Sequence, residues 1–267
     1  MSQESIIPPN RLKRNLLAGR LQVGMFVAEF RQPSVMQILA NAGFDFALID
    51  NEHGGFGIET IGDLSRAAVL MGITPLVRVP DIAYPYIAQT LDVGAQGLMI
   101  PRVTNAEQVR SVVQQMRYPP LGERGSALER GFTRFRRAPV QEVLDSVHRE
   151  TMLVIQIETR QALENLDEIL AVPGVDVALI GPNDLGIALG VPGQLEAPVL
   201  VEAIEKTIST CQQRLVCPAI AMGDPRLAVA WARRGMRMIL AGSEIALMMR
   251  AGQEVLTAIQ DGVAHGN

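Results

Sequence analysis

Val154-Ile155-Gln156-Ile157-Glu158-Thr159 and, downstream, Ala178-Leu179-Ile180-Gly181-Pro182-Asn183-Asp184 decide the reading of this chain. Each is an apolar run that ends abruptly in a carboxylate, the way a buried parallel strand delivers an acidic side chain to its carboxyl end. Between them Leu163, Leu166, Ile169 and Leu170 fall on one face of a helical pattern over residues 161–171, so the segment reads strand, crossover helix, strand. Neighbouring parallel strands lie about 5 Å apart. Glu158 and Asp184 are therefore expected side by side, able to share one octahedral Mg²⁺ or Mn²⁺ with positions left for water or substrate oxygens. The ordinary alternative is an Asp that only caps a helix and a Glu that pairs with an Arg such as Arg160. Repetition of the pattern on two consecutive strand ends favours the metal.

Working outward, apolar strand-like runs recur at residues 23–27, 46–49, 74–79, 97–100, 152–157, 177–180, 218–222 and 236–240. Amphipathic stretches of helical length lie between most of them, at 34–42, 59–71, 84–93, 106–116, 161–171, 198–214 and 225–233, with a last one at 244–260. Eight β-then-α units in 267 residues point to one closed (β/α)₈ barrel domain spanning residues 1–267. An open doubly wound sheet is the second choice. No G-x-G-x-x-G follows the first strand, which removes the support for a dinucleotide site. The composition agrees: 48% hydrophobic with only 4% aromatic means an aliphatic interior of the kind found in parallel sheets covered by helices.

A net charge of −4 argues against a nucleic-acid surface. No run approaches a membrane span and the N-terminal segment lacks the apolar core of a signal peptide, so a cytoplasmic location is expected. Cys211 and Cys217 have no paired ligand spacing and read as buried thiols. Lys13 and Lys206 are the only lysines and neither ends a strand, which disfavours Schiff-base chemistry.

The regularity breaks once. About fifty residues separate Ile100 from Met152, so the region around 101–151 carries something extra. It holds Arg117-Tyr118-Pro119-Pro120, Gly122-Glu123-Arg124-Gly125-Ser126, and the basic cluster Arg130, Arg134, Arg136 and Arg137. Arg134 to Arg137 read as a solvated loop, whereas Arg124 is the candidate for an anionic substrate at the barrel mouth. The last helix, 244–260, carries a broad apolar stripe from Ile245 to Ile259, more than a solvent-facing helix needs; it either closes the barrel wall or packs on another subunit. Ser243 precedes that helix, whose N-terminus is a favourable place for an anion.

Strand two ends Leu48-Ile49-Asp50-Asn51-Glu52-His53, and ionisable residues on a loop at the carboxyl end of a barrel strand read as catalytic. His53, flanked by Asp50 and Glu52, is the candidate general acid/base; His148 lies in a helical segment and His265 in the tail. Arg78 closes strand three and is costly to bury without an anion, either Asp50, Asp81 or substrate. Asp92 at a helix end invites a partner, His53 or an Arg.

These residues resemble a family. Phe44 to His53 is similar to the FDxxxIDxEH segment of the HpcH/HpaI class II pyruvate aldolases. The likeness continues through Val77-Arg78-Val79-Pro80, Leu91-Asp92-Val93-Gly94-Ala95-Gln96-Gly97, the segment from Arg117 to Gly125, Gln156-Ile157-Glu158-Thr159 and Ile180-Gly181-Pro182-Asn183-Asp184-Leu185. The resemblance implies a modified TIM barrel of the phosphoenolpyruvate/pyruvate type that reversibly cleaves a 4-hydroxy-2-oxo acid to pyruvate and an aldehyde. Glu158 and Asp184 would bind the divalent ion, Mg²⁺ or Mn²⁺ with Co²⁺ or Zn²⁺ also suited, and Gln156 would lie nearby. Pyruvate would meet the Gly181-Pro182-Asn183-Asp184 helix start. Arg78 and the metal would stabilise the enolate, and His53 would move protons through water with Asp50 or Asp92. It also implies that the last helix is exchanged between subunits of a homohexamer, a trimer of dimers.

Asn51, the glycine-rich Gly54-Gly55-Phe56-Gly57, the short Ser126-Ala127-Leu128 and the bulky cation Arg102 depart from the family pattern where the aldehyde would bind. Arg102 and Arg124 favour a carboxylated or polyhydroxylated aldehyde. The rival readings are a metal-enolate lyase without an aldehyde, such as an oxaloacetate decarboxylase or an acyl-thioester lyase, and a non-catalytic barrel used as an interaction module. A merely structural barrel has no reason to bury Arg78, Glu158 and Asp184 together.

Overall fold

Side-chain alternation sorts the apolar runs into a barrel interior and a barrel wall. The computed structural model describes residues 5–264, and His265 lies outside them. The runs form β1 (Gln22–Val27), β2 (Phe46–Asp50), β3 (Thr74–Arg78), β4 (Gly97–Ile100), β5 (Met152–Ile157), β6 (Val177–Ile180), β7 (Cys217–Ala221) and β8 (Met238–Ser243). Each pairs in parallel with the next, and β8 pairs with β1 to close the barrel. All but β8 agree with the expected spans to within one residue at either end. Phe46, Leu48, Leu76, Met99, Val154, Leu179 and Leu240 point inward and form one cluster. The residues between them, among them Ala47, Ile49, Val77, Leu98, Ile100 and Ile155, face the helical layer. This is the period of two that a strand imposes.

The helices are α1 (Arg11–Leu17), α2 (Ser34–Asn41), α3 (Ile58–Met71), α4 (Tyr84–Asp92), α5 (Ala106–Met116), α6 (Val140–Glu150), α7 (Arg160–Glu164), α8 (Leu166–Leu170), α9 (Pro182–Leu189), α10 (Pro198–Arg214), α11 (Pro225–Arg233) and α12 (Glu244–Ala264). Helix α1 was not anticipated; α6 was foreseen only as a helical segment around His148, and α9 only as the helix start that the resemblance implies at residues 181–184. The expected helix over 161–171 divides at Asn165, whose side chain donates to the Thr104 carbonyl at 2.8 Å.

Helix α1 stoppers the amino-terminal end of the barrel. Leu12 and Leu16 enter the inner cluster, and Asn10 caps the helix by accepting from the Lys13 N–H at 2.9 Å. The Asn10 side-chain amide also donates to the carbonyls of Gln96 and Glu150, tying the plug to the strands around it. Lys13 belongs to this lower end, where it pairs with Asp176 at 3.0 Å; Lys206 donates to the Leu163 carbonyl on the outer layer.

The extra length between β4 and β5 is α5, a 3-10 turn at Gly131–Thr133, and α6. Of the solvated basic loop expected from Arg134 to Arg137, only Arg137 is solvated, its side chain 85% exposed and paired with Glu129, while Arg134 and Arg136 turn onto the chain. Ile6 and Ile7 pack with Tyr118, Phe132, Val143 and Val147, and Arg136 donates to the carbonyls of Ser5 and Ile6. The cluster therefore clamps the segment that leads into α1. His148 accepts from the Tyr118 N–H at 3.1 Å, and burial with the neighbouring Arg117 charge lowers its pKa, so it is a neutral structural histidine. Burial likewise pushes the Cys217 thiol up to about 12 and the Cys211 thiol higher still, and both are free.

Helix α12 leaves the barrel. Glu244 is its only buried residue, while Met248, Met249, Val255, Leu256, Ile259 and Val263 are all exposed. The apolar stripe thus closes nothing in its own chain. No helix among the described residues is long and apolar enough to cross a membrane.

Because Leu12 is fully buried inside the barrel end, Leu12→Ala is expected to cost about 2–5 kcal/mol of stability. Urea denaturation measures it, and a loss below ~1 kcal/mol would mean that the plug is not part of the cooperative core.

Candidate active site

The carboxyl ends of the strands collect the polar side chains because the inward parity that places Phe46 and Leu48 continues to Asp50, and that of Val154 continues to Gln156 and Glu158. Asp50 and Arg78 are register partners on β2 and β3 and meet inside the mouth. The Arg78 Nε donates to Asp50 Oδ1 at 2.9 Å and Nη2 to Oδ2 at 2.6 Å, a bidentate pair with both residues buried. Arg78 Nη1 lies 3.1 Å from Glu52 Oε2, and the guanidinium stands over the Phe26 ring at 5.2 Å. Of the two internal partners considered for Arg78, Asp50 is the one present; Asp81 caps the Ala83 N–H instead. Burial raises the Asp50 pKa, but the Arg78 hydrogen bonds and charge, with the N–H groups of Glu52 and His53, outweigh it and leave the carboxyl below its ordinary value.

Glu158 is buried beside this pair under the opposite balance. Burial raises its pKa, Glu52 and Asp184 add to the rise, and the Arg102 N–H and Arg78 charge do not fully offset it. Its Oε1 accepts the Arg102 N–H at 2.7 Å, its Oε2 accepts from Gln156 Nε2, and Gln156 Oε1 is buried without a hydrogen-bond partner. Gly181 keeps the space open. A Cβ there would stand 3.0 Å from Gln156 Nε2 and 3.2 Å from Glu158 Oε2. Asp184 lies in the first turn of α9, which starts with Pro182 and carries no side-chain cap on Gly181, so the N–H groups of Asn183 and Asp184 face outward from the helix start.

These donors suit a hard divalent ion: two carboxylates whose charges already feel each other and an amide oxygen lacking a partner. Among the described residues no group of three or more His, Cys, Asp and Glu is poised for a metal, so an ion held here would complete its shell with water and substrate oxygens.

His53 is largely exposed, at 72% for its side chain, and its nearest carboxylate is Glu52, Oε2 to Nε2 3.8 Å. This corrects the expected pairing with Asp50 or Asp92. Asp50 is consumed by Arg78 and receives only the His53 backbone N–H, at 3.4 Å, while Asp92 is bound to Arg124 at 2.5 Å. Arg124 is likewise not a free cation over the mouth. Its side chain is 1% exposed and lies between the Tyr118 and Phe132 rings, 4.9 and 5.4 Å from their centroids. Ser243 caps α12 through the Ala246 N–H at 3.2 Å. The anion near that helix start is the chain's own Glu244, which accepts the N–H groups of Ala28, Glu29 and Phe30 at 2.7–3.2 Å.

Glu52 and Glu244 were not singled out as site residues. Glu52 was visible between Asp50 and His53, but its turn toward Arg78 depends on the loop. That turn is forced by close backbone approach, since a Cβ on Gly54 would fall 2.2 Å from the Asp50 carbonyl oxygen. Phe56, expected in a region open to the aldehyde, is buried in the wall and anchors the loop.

A closed parallel barrel with paired ions and acids at its strand carboxyl ends belongs to the class of (β/α)₈-barrel enzymes. Within that class the chain belongs to the HpcH/HpaI aldolase/citrate lyase family, whose pattern matches residues 22–251. A 4-hydroxy-2-oxo-heptane-1,7-dioate aldolase from Klebsiella pneumoniae is 38% identical over 93% of this chain and 93% of its own length. The protein of the same name from Escherichia coli is 35% identical over 95% of this chain and 99% of its own. Among solved structures, an HpcH/HpaI aldolase from Desulfitobacterium hafniense superposes with a TM-score of 0.87 at 34% identity, covering 92% of this chain and 96% of its own. A citrate synthase structure gives 0.84 at 26% identity over 94% and 98%. The protein is thus a carbon-carbon lyase acting on small molecules.

The electrostatics yield two expectations. Arg78→Ala leaves the Asp50 carboxylate buried and unpaired and should cost about 3–5 kcal/mol near neutral pH. Asp50 has a depressed pKa, so its contribution is present above the ordinary carboxylate range and lost as pH falls through the folded value. The deficit of the variant should shrink in acid, and a pH-independent deficit in denaturation would contradict the pairing. Glu158 has the reverse sign: above the ordinary range its ionised form costs stability. Glu158→Gln should therefore raise the melting temperature of the metal-free protein at neutral pH, and not in acid. An unchanged or lower melting temperature at neutral pH would show that the carboxylate is not strained there.

Proposed function

We propose that this enzyme is a divalent-metal-dependent class II pyruvate aldolase, reversibly cleaving a 4-hydroxy-2-oxo acid to pyruvate and an aldehyde. The observation that carries the reading is the buried Glu158, crowded by Glu52 and Asp184 beside a locked Arg78, since a protein keeps such a concentration of acid only where a cation or a reaction uses it. Glu158 and Asp184 hold Mg²⁺ or Mn²⁺, with Gln156 offering its free amide oxygen. The bound ion supplies Lewis-acid polarisation of the 2-oxo group.

In the cleavage direction the 4-hydroxyl loses its proton, the C3–C4 bond breaks, the aldehyde departs, and the electron pair moves onto the pyruvyl fragment, which is then protonated at its methyl carbon. Arg78 stabilises the negative charge that grows on the 2-oxo oxygen. Its orientation is prepaid by Asp50, so no reorganisation is needed as the charge develops. The outward N–H groups of Asn183 and Asp184 hold the substrate carboxylate. His53, exposed and beside Glu52, exchanges the protons through water. The exposed apolar stripe of α12 supports packing of this helix on another subunit; its exchange within a homohexamer follows from the family resemblance, and a cytoplasmic location is part of the same proposal.

The test is pyruvate release from a generic 4-hydroxy-2-oxo acid by metal-stripped enzyme. Activity should appear with Mn²⁺ or Mg²⁺ and be lost in Glu158→Ala. Turnover indifferent to both chelator and Glu158 would remove the metal from this account. The likeness to a citrate synthase favours one second reading, a metal-enolate reaction on oxaloacetate without an aldehyde. Oxaloacetate as sole substrate separates the two: rapid decarboxylation with no cleavage of the 4-hydroxy-2-oxo acid would favour the second.

A further inference from the structure

We propose that a cavity at the amino-terminal end of the barrel binds a small monocarboxylate with an apolar body, at a site separate from the catalytic mouth. The cavity holds about 240 Å³ and lies between α3, the turn from α4 into β4, the 3-10 turn and the end of α6. It borders Gln96 and Thr151, which immediately precede β4 and β5, so it stands at the opposite end of these strands from Glu158. Val69, Leu91, Ala95, Phe132 and Val147 make its walls. Leu70 and Phe135 also line it and are themselves exposed, which sets apolar surface at the entrance. The barrel interior beside it is filled by side chains. A concave apolar site left open in such a protein is a place for an apolar body.

The polar groups around the cavity set the sign of its ligand. Among the described residues the lining carries three cations, Arg66, Arg124 and Arg134, against one carboxylate, Glu150. Glu150 is already satisfied, since it accepts the Asn10 N–H and pairs with Arg14 and Arg149. Arg124 is the buried cation of the three. Its Nη2 is held by Asp92, but its Nε is buried with no hydrogen-bond partner. In Arg78 the same edge is complete, because Nε and Nη2 both donate to Asp50. An unsatisfied donor on a buried charge is destabilising, and an acceptor brought by a ligand removes that cost. A carboxylate supplies both the acceptor and the opposite charge. The volume lies below the roughly 300–1,000 Å³ of drug-sized sites, so the body is a short alkyl chain or a single aryl group.

The experiment is calorimetric titration of the full-length enzyme with 3-phenylpropanoate, 3-phenylpropan-1-ol and acetate, each with and without excess pyruvate and Mn²⁺. The aryl acid should bind at least about 10-fold more tightly than the alcohol, the lower end of what a charge-assisted hydrogen bond contributes. Acetate, without the body, should also bind more weakly, and pyruvate should leave all three affinities unchanged. Arg124→Lys keeps a cation for Asp92 but has no Nε, so it should bring the acid about 10-fold down toward the alcohol and leave the alcohol as it was. Val69→Phe fills the cavity and should abolish binding of both. Phe135→Ala, at an exposed position on which the core does not depend, should weaken both and keeps the test open if the other variants do not fold. No binding of the acid by wild type would mean that Arg124 Nε is served by water and would overturn the site. Equal affinities for acid and alcohol, competition by pyruvate, or binding undiminished in Val69→Phe and Phe135→Ala would overturn it equally.

Discussion

Closure of a parallel barrel is the constraint on which everything at the mouth depends. Once β8 pairs with β1, each strand has one set of alternate residues with nowhere to point but the interior, and register determines which of them share a level. Asp50 and Arg78 are opposite in the β2–β3 ladder, so their ion pair follows directly from the pairing that also matches Leu48 with Leu76. The lower levels are apolar and tightly filled, the lowest by Leu12 and Leu16 of α1. Only the upper level can carry charge, because only there does the interior open toward solvent.

At that level one cation serves several acids. Arg78 satisfies Asp50 with two hydrogen bonds and shares its remaining charge with Glu52 and Glu158. The division is unequal: the hydrogen bonds and charge of Arg78 hold the Asp50 pKa below its ordinary range, while burial and the neighbouring Glu52 and Asp184 raise that of Glu158. The divalent ion proposed for this centre would fill that deficit of positive charge beside Glu158. The stability the centre gives up is offset by the aliphatic wall and by the plugged lower end.

The same rim is joined to α12. Glu244, the helix's single buried residue, closes on the three N–H groups that follow β1, so the direction in which α12 leaves the barrel is tied to a mouth loop. Beyond that first turn its apolar side chains are exposed.

Local pattern alone was enough for the elements. The eight strands, most of the helices around them, the acid at the end of β5 and the ionisable loop after β2 are all legible because they depend on short-range periodicity and on chain order. Helix α1 was missed because seven residues are too short to show a period, and α6 was legible only as a helical segment around His148 although Val140, Val143, Leu144 and Val147 stand at helical spacing; both are held by contacts far along the chain, Asn10 with Glu150 and Ile6 and Ile7 with Val143 and Val147. Partner choice was legible only as alternatives. Asp92 took Arg124 rather than His53, and His53 was left beside Glu52, because each outcome turned on loop paths set by the backbone approach at Gly54 and by the rings of Tyr118 and Phe132. The sequence by itself thus determined the barrel, its order and the residue types at its mouth, through the period of two within strands. The tertiary structure alone decided which charges meet, since ion pairs between loops depend on distances that no local pattern encodes.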